Sequence, residues 1–174
     1  GNSSTQSITV SITDIDDEAP VFTSSATFGV DENQTAIGTV TASDADNLDT
    51  SATISFTVSG DELVIDSNGV LTFNSAPDYE TKTSYTTTIT ATDGAGNSST
   101  QNVNVNVNNL NDNFPVFTSG ATFSAAENQT AIGTVTGSDA DGDSLSFTVS
   151  GSELAITSAG VLTFTSAPDY ETKS

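Results

Sequence analysis

Hydrophobic and polar residues alternate with a period of two along Ser7-Ile-Thr-Val-Ser-Ile-Thr13, Ser55-Phe-Thr-Val58 and Asn102-Val-Asn-Val-Asn-Val-Asn108. That is the spacing of a strand with one face buried and the other wet. No stretch carries the 3.6-residue period of an amphipathic helix. Further strands are predicted near 20–30, 36–42, 62–66, 70–73 and 84–92, with Ser67-Asn-Gly69 between the third and fourth, where Asn-Gly favours a tight hairpin turn. About seven short strands in a stretch of about 95 residues is the count of a Greek-key sandwich, so the expected fold is all-β and immunoglobulin-like, with seven-stranded β-sandwiches. Phe22, Phe28, Phe56, Phe73, Val40, Ile65, Ile89 and Val105 fall on the inward phase and form the expected core.

The pattern repeats. Pro20 to Asp46 match Pro115 to Asp141 at 22 of 27 positions with an offset of 95, and Phe56 to Lys82 match Phe147 to Lys173 at 22 of 27 with an offset of 91. Four residues are therefore absent from the second copy of the loop that follows Ser-Asp-Ala-Asp. Gly1-Asn-Ser-Ser-Thr-Gln6 also recurs as Gly96-Asn-Ser-Ser-Thr-Gln101. The expected domains are the last strand and linker of a preceding repeat at 1–17, a complete repeat at 18–112 and a truncated repeat at 113–174. A unit of about 90 to 100 residues buries its own core, unlike solenoid repeats of 20 to 50 residues. The third repeat stops at the equivalent of Thr83, short of its last two strands, and the strand at 7–13 has no sandwich to join. Residues outside the chain, a continuation or a neighbouring copy, are expected to complete both ends.

Charge removes several classes of function. With 23 Asp plus Glu against two Lys and no Arg, the net charge of −21 repels nucleic acid and anionic membranes, so neither is an expected partner. No run of 18 apolar residues predicts a membrane insertion in this segment. Without Cys the chain has no disulfide, which leaves metal as a candidate staple for an extracellular module. Without His or Cys, a nucleophilic serine would depend on Lys82 or Lys173, and no Gly-X-Ser-X-Gly elbow is present, so the chain reads as no enzyme. A sugar cleft would want exposed aromatic rings, yet Trp is absent and the nine Phe fall mostly at core phases.

What the charge is for shows in its placement. Asp14-Ile-Asp-Asp17-Glu precedes one Pro-Val-Phe start and Asn109-Leu-Asn-Asp112-Asn precedes the next, so runs of carboxylate and carboxamide oxygens stand where two domains join. Hard cations such as Ca2+ take six to eight oxygen ligands at that kind of site. Asp139-Ala-Asp-Gly-Asp143 resembles the start of an EF-hand loop, but Ser144 and Ser150 occupy its Gly and Glu positions, and that reading fails.

The chain resembles tandem cadherin repeats in the form met in bacterial surface proteins. The X-Glu-X element is Asp31-Glu-Asn33 and Ala126-Glu-Asn128, Asp-X-Asp is Asp44-Ala-Asp46 and Asp139-Ala-Asp141, and Leu-Asp-Arg-Glu becomes Pro77-Asp-Tyr-Glu80 and Pro168-Asp-Tyr-Glu171. Ala91-Thr-Asp-Gly94 approximates Ala-X-Asp-X-Gly, and Asn109-Leu-Asn-Asp-Asn-Phe-Pro115 is the linker. Within these motifs lie 17 of the 23 acidic residues, which sets them apart from an ordinary solvated face. The resemblance implies sandwiches of cadherin type with about three Ca2+ per inter-repeat joint. At the middle joint it assigns Glu32, Asp78, Glu80 and Asp112 to the inner two ions, Asn111 and Asn113 with Asp139 and Asp141 to the outermost, and a linker carbonyl such as that of Leu110. The N-terminal joint retains Asp14, Asp16, Asp17, Glu18, Asp44, Asp46 and Asp93, and Glu127, Asp169 and Glu171 repeat the ligand types further on. The tryptophan-mediated strand exchange of vertebrate classical cadherins does not carry over, since there is no Trp.

The expected function is a calcium-rigidified segment of an extracellular or cell-surface bacterial adhesin or fibre. Its expected partners are neighbouring repeats of the same polypeptide, homophilic or fibre contacts, or a surface ligand. The alternative is a carbohydrate-binding accessory module of a larger extracellular enzyme.

Overall fold

The computed structural model describes residues 1–13, 15–46 and 53–172. Asp14 and Lys173, both singled out above, lie outside the described residues. The chain divides into two compact units, Gly1–Asn108 and Asn109–Ser174. Every regular element among the described residues is a strand.

In unit 1 the strands are β1 (Val21–Phe22), β2 (Thr27–Asp31), β3 (Ala36–Thr39), β4 (Ala42–Ser43), β5 (Ser55–Val58), β6 (Leu63–Ile65), β7 (Val70–Phe73), β8 (Ser84–Thr92) and β9 (Ser98–Asn108). The predicted strands at 20–30 and 36–42 each divide in two. One sheet has the order β2-β9-β8-β5, the other β3-β7-β6, and β1 pairs with β4 beside them. Four strands plus three make the expected seven-stranded sandwich. β2 runs parallel to β9, with Phe28 beside Val105 and Val30 beside Val107. The inner faces meet in a cluster that includes Val30, Ile89, Val103, Val105 and Val107 from the larger sheet and Leu63, Leu71 and Phe73 from the smaller. Of the expected core, Val40, Phe73, Ile89 and Val105 are buried, and Phe22, Phe28, Phe56 and Ile65 pack against them.

The predicted hairpin turn between β6 and β7 forms over Asp66 to Gly69, closed by the Gly69 N–H donating to the Asp66 carbonyl (3.0 Å). The Asp66 carboxylate accepts from the N–H groups of Asn68 (2.9 Å) and Val70 (2.8 Å), which spreads the connection over four residues. Gly69 sits at φ +79°, and a Cβ there would lie 2.1 Å from the Val40 carbonyl oxygen. Both facts require glycine.

Unit 2 contains β10 (Val116–Phe117), β11 (Ala131–Thr134), β12 (Gly137–Ser138), β13 (Leu154–Ile156) and β14 (Val161–Phe164). Its sheet β11-β14-β13 reproduces β3-β7-β6, register shift included. Thr122–Ala126 and Ser146–Val149, which repeat β2 and β5, are not strands. In unit 1 those two strands are held by β9 and β8, and no residues equivalent to β8 and β9 follow in this sequence. The alternating segment 7–13 is also not a strand, and Ile8, Val10 and Ile12 are 78%, 81% and 94% exposed.

Candidate metal centre

Each repeat gathers its acidic motifs at two poles. In unit 1 the first pole is built from the 16–18 linker and the Asp44-Ala-Asp46 loop. Asp46 Oδ2 accepts from the N–H groups of Asp17 (3.0 Å) and Glu18 (2.6 Å), and Asp44 Oδ1 accepts from the Asp46 N–H (2.9 Å). These bonds fold the linker over the loop and bring carboxylate oxygens of Asp16, Asp44 and Asp46 within 4.8 Å of one another. Asp44 Oδ2 is buried and has no hydrogen-bond partner, a costly state that a cation would relieve.

Unit 2 builds the same cage 95 residues on. Asp141 Oδ2 accepts from the N–H groups of Asp112 (3.1 Å) and Asn113 (2.8 Å), and Asp139 Oδ1 accepts from the Asp141 N–H (3.0 Å). The Asn113 amide adds a bond to Asp141 Oδ1 (3.0 Å), and carboxylate oxygens of Asp112 and Asp141 lie within 4.8 Å of each other. Asn109 and Asp143, which sequence reasoning did not assign to the site, complete it: the Asn109 amide donates to the Asp141 carbonyl (3.1 Å), and the Asn111 amide donates to Asp143 Oδ2.

The second pole of each unit joins the X-Glu-X loop to the Pro-Asp-Tyr-Glu loop. Glu32 is 2% exposed and accepts the Tyr79 N–H at 2.7 Å. Asn33 adopts φ +65° and donates its N–H to the Pro77 carbonyl (3.0 Å), a left-handed position that Asn tolerates. In unit 2, Glu127 accepts the Tyr170 N–H (3.0 Å), and Asn128 at φ +62° donates to the Pro168 carbonyl (2.9 Å). Glu32 and Glu80 have oxygens within 4.8 Å of each other, as do Glu127, Asp169 and Glu171. In unit 1 the eleven residues of β9 run from one pole to the other, about 35 Å.

Two assigned residues behave differently from the rest. Both Asp93 oxygens serve the turn after β8: Oδ1 accepts from the N–H groups of Gly96 (2.7 Å) and Asn97 (2.8 Å), and Oδ2 from the Asn97 amide (3.0 Å). Burial pushes the Asp93 carboxyl up, but the Asn97 amide and the N–H groups of Gly96, Asn97 and Ala95 together hold it below its ordinary value. Asp93 thus reaches the first pole through Asn97, whose amide also donates to the Asp16 carbonyl (3.2 Å). The Asp-Gly-Ala-Gly-Asn run was the available signal for that turn. Asp78 caps its own turn, accepting from the Thr81 N–H (3.2 Å) and hydroxyl (2.9 Å). Its counterpart Asp169 is held below the ordinary carboxylate range, first by a hydrogen bond with the Glu171 side chain and then by the Thr172 hydroxyl.

The donors at the four poles are carboxylate, carboxamide and carbonyl oxygens, and the chain contains no His or Cys. That set fits a hard cation with flexible, oxygen-rich coordination, which is Ca2+ rather than a transition metal. Comparison with known proteins bears on the same residues. The Cadherin domain family matches residues 26–108. The repeats are cadherin-like. Neural-cadherin of Drosophila melanogaster is 32% identical over 160 residues, which is 84% of this chain and 5% of that protein. The crystal structure of mouse Cadherin-23 EC22-24 is 25% identical with a TM-score of 0.72, covering 90% of this chain and 57% of that one. Human Protocadherin-24 EC1-2, 21% identical with a TM-score of 0.75 over 90% of this chain and 82% of that one, shows the fold alone. The chain thus spans about 5% of the length of the curated relative it matches. No helix among the described residues is long and apolar enough to cross a membrane.

Proposed function

We propose that these cadherin-like repeats are a segment of an extracellular or cell-surface adhesin or fibre, of the bacterial type that the motif variants resemble, stiffened by Ca2+ between successive repeats. The observation that carries the reading is the cage built twice, by Asp16, Asp17, Glu18, Asp44 and Asp46 and again by Asn111, Asp112, Asn113, Asp139 and Asp141. In each, a backbone-anchored carboxylate pins the linker to the loop of the repeat that follows it.

The middle joint draws its ligands from both sides of residue 109: Glu32, Asp78 and Glu80 from the earlier repeat, and the Leu110 carbonyl with the Asn111, Asp112, Asn113, Asp139 and Asp141 side chains from the later one. Bound there, Ca2+ supplies positive charge and up to eight coordination positions to groups that otherwise repel. Without it the like charges favour a linker that bends, because the chain's two lysines cannot neutralise 23 carboxylates. Carboxylates that wait in preformed cages lose little freedom on binding. The segment then works as a rod that carries contacts between copies or holds an adhesive tip away from a surface.

Thermal unfolding with excess Ca2+, excess Mg2+ or EDTA tests this. Ca2+ at 100 times its dissociation constant adds about 2.7 kcal/mol for each independent site. Asp141→Asn should remove most of the gain at the middle joint, and Asp46→Asn that at the first pole. A melting curve and scattering profile identical in Ca2+ and EDTA would overturn the reading.

A further inference from the structure

The two linkers that enter the cages share their backbone bonds and differ in their side chains. In each, two consecutive N–H groups donate to one carboxylate oxygen, those of Asp17 and Glu18 to Asp46 Oδ2 and those of Asp112 and Asn113 to Asp141 Oδ2. Beyond those bonds the later linker makes more with its own side-chain amides. Asn109 donates to the Asp141 carbonyl (3.1 Å), Asn111 to Asp143 Oδ2, and Asn113 to both Asp112 Oδ1 (2.9 Å) and Asp141 Oδ1 (3.0 Å). At the repeat offset of 95 the earlier linker carries Asp14, Asp16 and Glu18 at these positions. A carboxamide donates two hydrogens, whereas an ionised carboxylate only accepts. The change that removes the donors also adds three negative charges to a linker that meets Asp44 and Asp46.

We propose that the amides of Asn109, Asn111 and Asn113 do for the later linker what a cation does for the earlier one: 109–113 stays closed on its loop without Ca2+, and 16–18 closes only with it. The second half rests on the calcium reading above; the first half does not. The later linker's amides reach the carboxylates of Asp112, Asp141 and Asp143, and hydrogen bonds to ionised acceptors are the strong ones. The earlier cage instead keeps Asp44 Oδ2 buried with no hydrogen-bond partner, an oxygen that its acceptor-only neighbours cannot satisfy. Asn111 and Asn113 donate through nitrogen and keep their side-chain oxygens for a metal, so being closed does not block the site. At the first cage Ca2+ creates the closed linker, and at the second it finds one already formed.

Amide hydrogen exchange of the 174-residue chain, in EDTA and then in excess Ca2+, tests this. Asp17 and Glu18 are read against Thr23, and Asp112 and Asn113 against Thr118, because Thr23 and Thr118 make the same 2.8 Å bond, to Thr41 and Thr136, in their own units. On that scale the later pair should be about tenfold or more better protected in EDTA than the earlier pair. Ca2+ should slow the earlier pair strongly and leave the later pair within about threefold of its rate in EDTA. Swapping residues separates the side chain from its surroundings: Glu18→Asn should raise protection at Asp17 in EDTA, and Asn113→Glu should remove it at Asp112. Equal protection of the two pairs in EDTA, or swaps that move neither, would overturn the proposal. An earlier pair that ignores Ca2+ while the contrast in EDTA persists would overturn the calcium-dependent half and the calcium reading with it, and would uphold the amide closure.

Discussion

Phe22 and Phe117 stand at the same point of a stretch shared at 22 of 27 positions, yet Phe22 packs against the core and Phe117 is 75% exposed. The same divergence recurs along the repeat. Leu63 is buried and Leu154 half-buried, Phe73 is buried and Phe164 half-buried, Tyr79 packs against the core and Tyr170 is 68% exposed. None of these residues changes identity between the copies. What differs is the presence of β8 and β9, whose inward residues close the sandwich of unit 1. The sheet β3-β7-β6 forms in both units because all three of its strands lie within the shared sequence. Strand formation in Thr27–Asp31 and Ser55–Val58 depends on partners far along the chain, so similar residues at 122–126 and 146–149 stay irregular without them.

The strongest way to break this comparison is to supply the missing partners. Extending the polypeptide at Ser174 with a copy of Ser84–Asn108 should convert 122–126 and 146–149 into strands and slow their amide exchange to the level of β2 and β5. Three newly buried valines contribute about 1.5 kcal/mol or more each, before the ordering of the added strands is subtracted. If the two segments exchange as fast after the extension as before, absent partners are not the reason they are irregular.

How much of this was legible in the sequence follows the same division. Alternation in 55–58 and 102–108 revealed which residues point inward, because side-chain direction in a strand is a local property. It carried no information on pairing, and the parallel contact of β2 with β9 was not visible, since a strand's face can be read from its own residues and its partner cannot. The acidic motifs stood out by residue type and by recurrence at 95 residues. The backbone bonds that turn them into cages were hidden, because Asn33 in a left-handed conformation and Asn97 between Asp93 and Asp16 look like ordinary loop asparagines. The turn that engages both Asp93 oxygens was hidden in the same way, because composition shows a carboxylate at a pole but not the N–H groups that reach it.

A smaller effect sharpens the comparison at one matched pair. Leu71 and Leu162 are equivalent and both buried, at 0% and 8% exposure. Leu71→Ala opens a cavity between two closed sheets and should cost about 2–5 kcal/mol. Leu162→Ala removes the same atoms beside an open trough, where water fills the gap and the cavity penalty falls, so its cost should sit at or below the bottom of that range. Urea unfolding followed by amide exchange, which reports each unit separately, measures both. Equal costs would mean that unit 2 is closed in solution.

The smallest difference lies in the turn that both units share. Gly69 and Gly160 have φ of +79° and +86°, and in each a Cβ would lie 2.1 Å from a valine carbonyl oxygen, so the backbones are alike. The residue that anchors the turn is not. Asp66 Oδ1 accepts from two N–H groups, those of Asn68 and Val70, whereas Thr157, its counterpart, accepts from one, that of Val161 at 3.0 Å. Thr157→Asp should therefore add an acceptor for the residue 159 N–H and stabilise unit 2 by about 0.5–1.5 kcal/mol, while Asp66→Thr should destabilise unit 1 by a similar amount. Because neither side chain faces the trough, the pair should shift by equal and opposite amounts whether or not unit 2 is closed. Unequal shifts in local exchange at Val70 and Val161 would show that the closing strands reach even this turn, and would extend the difference between the units beyond the open face.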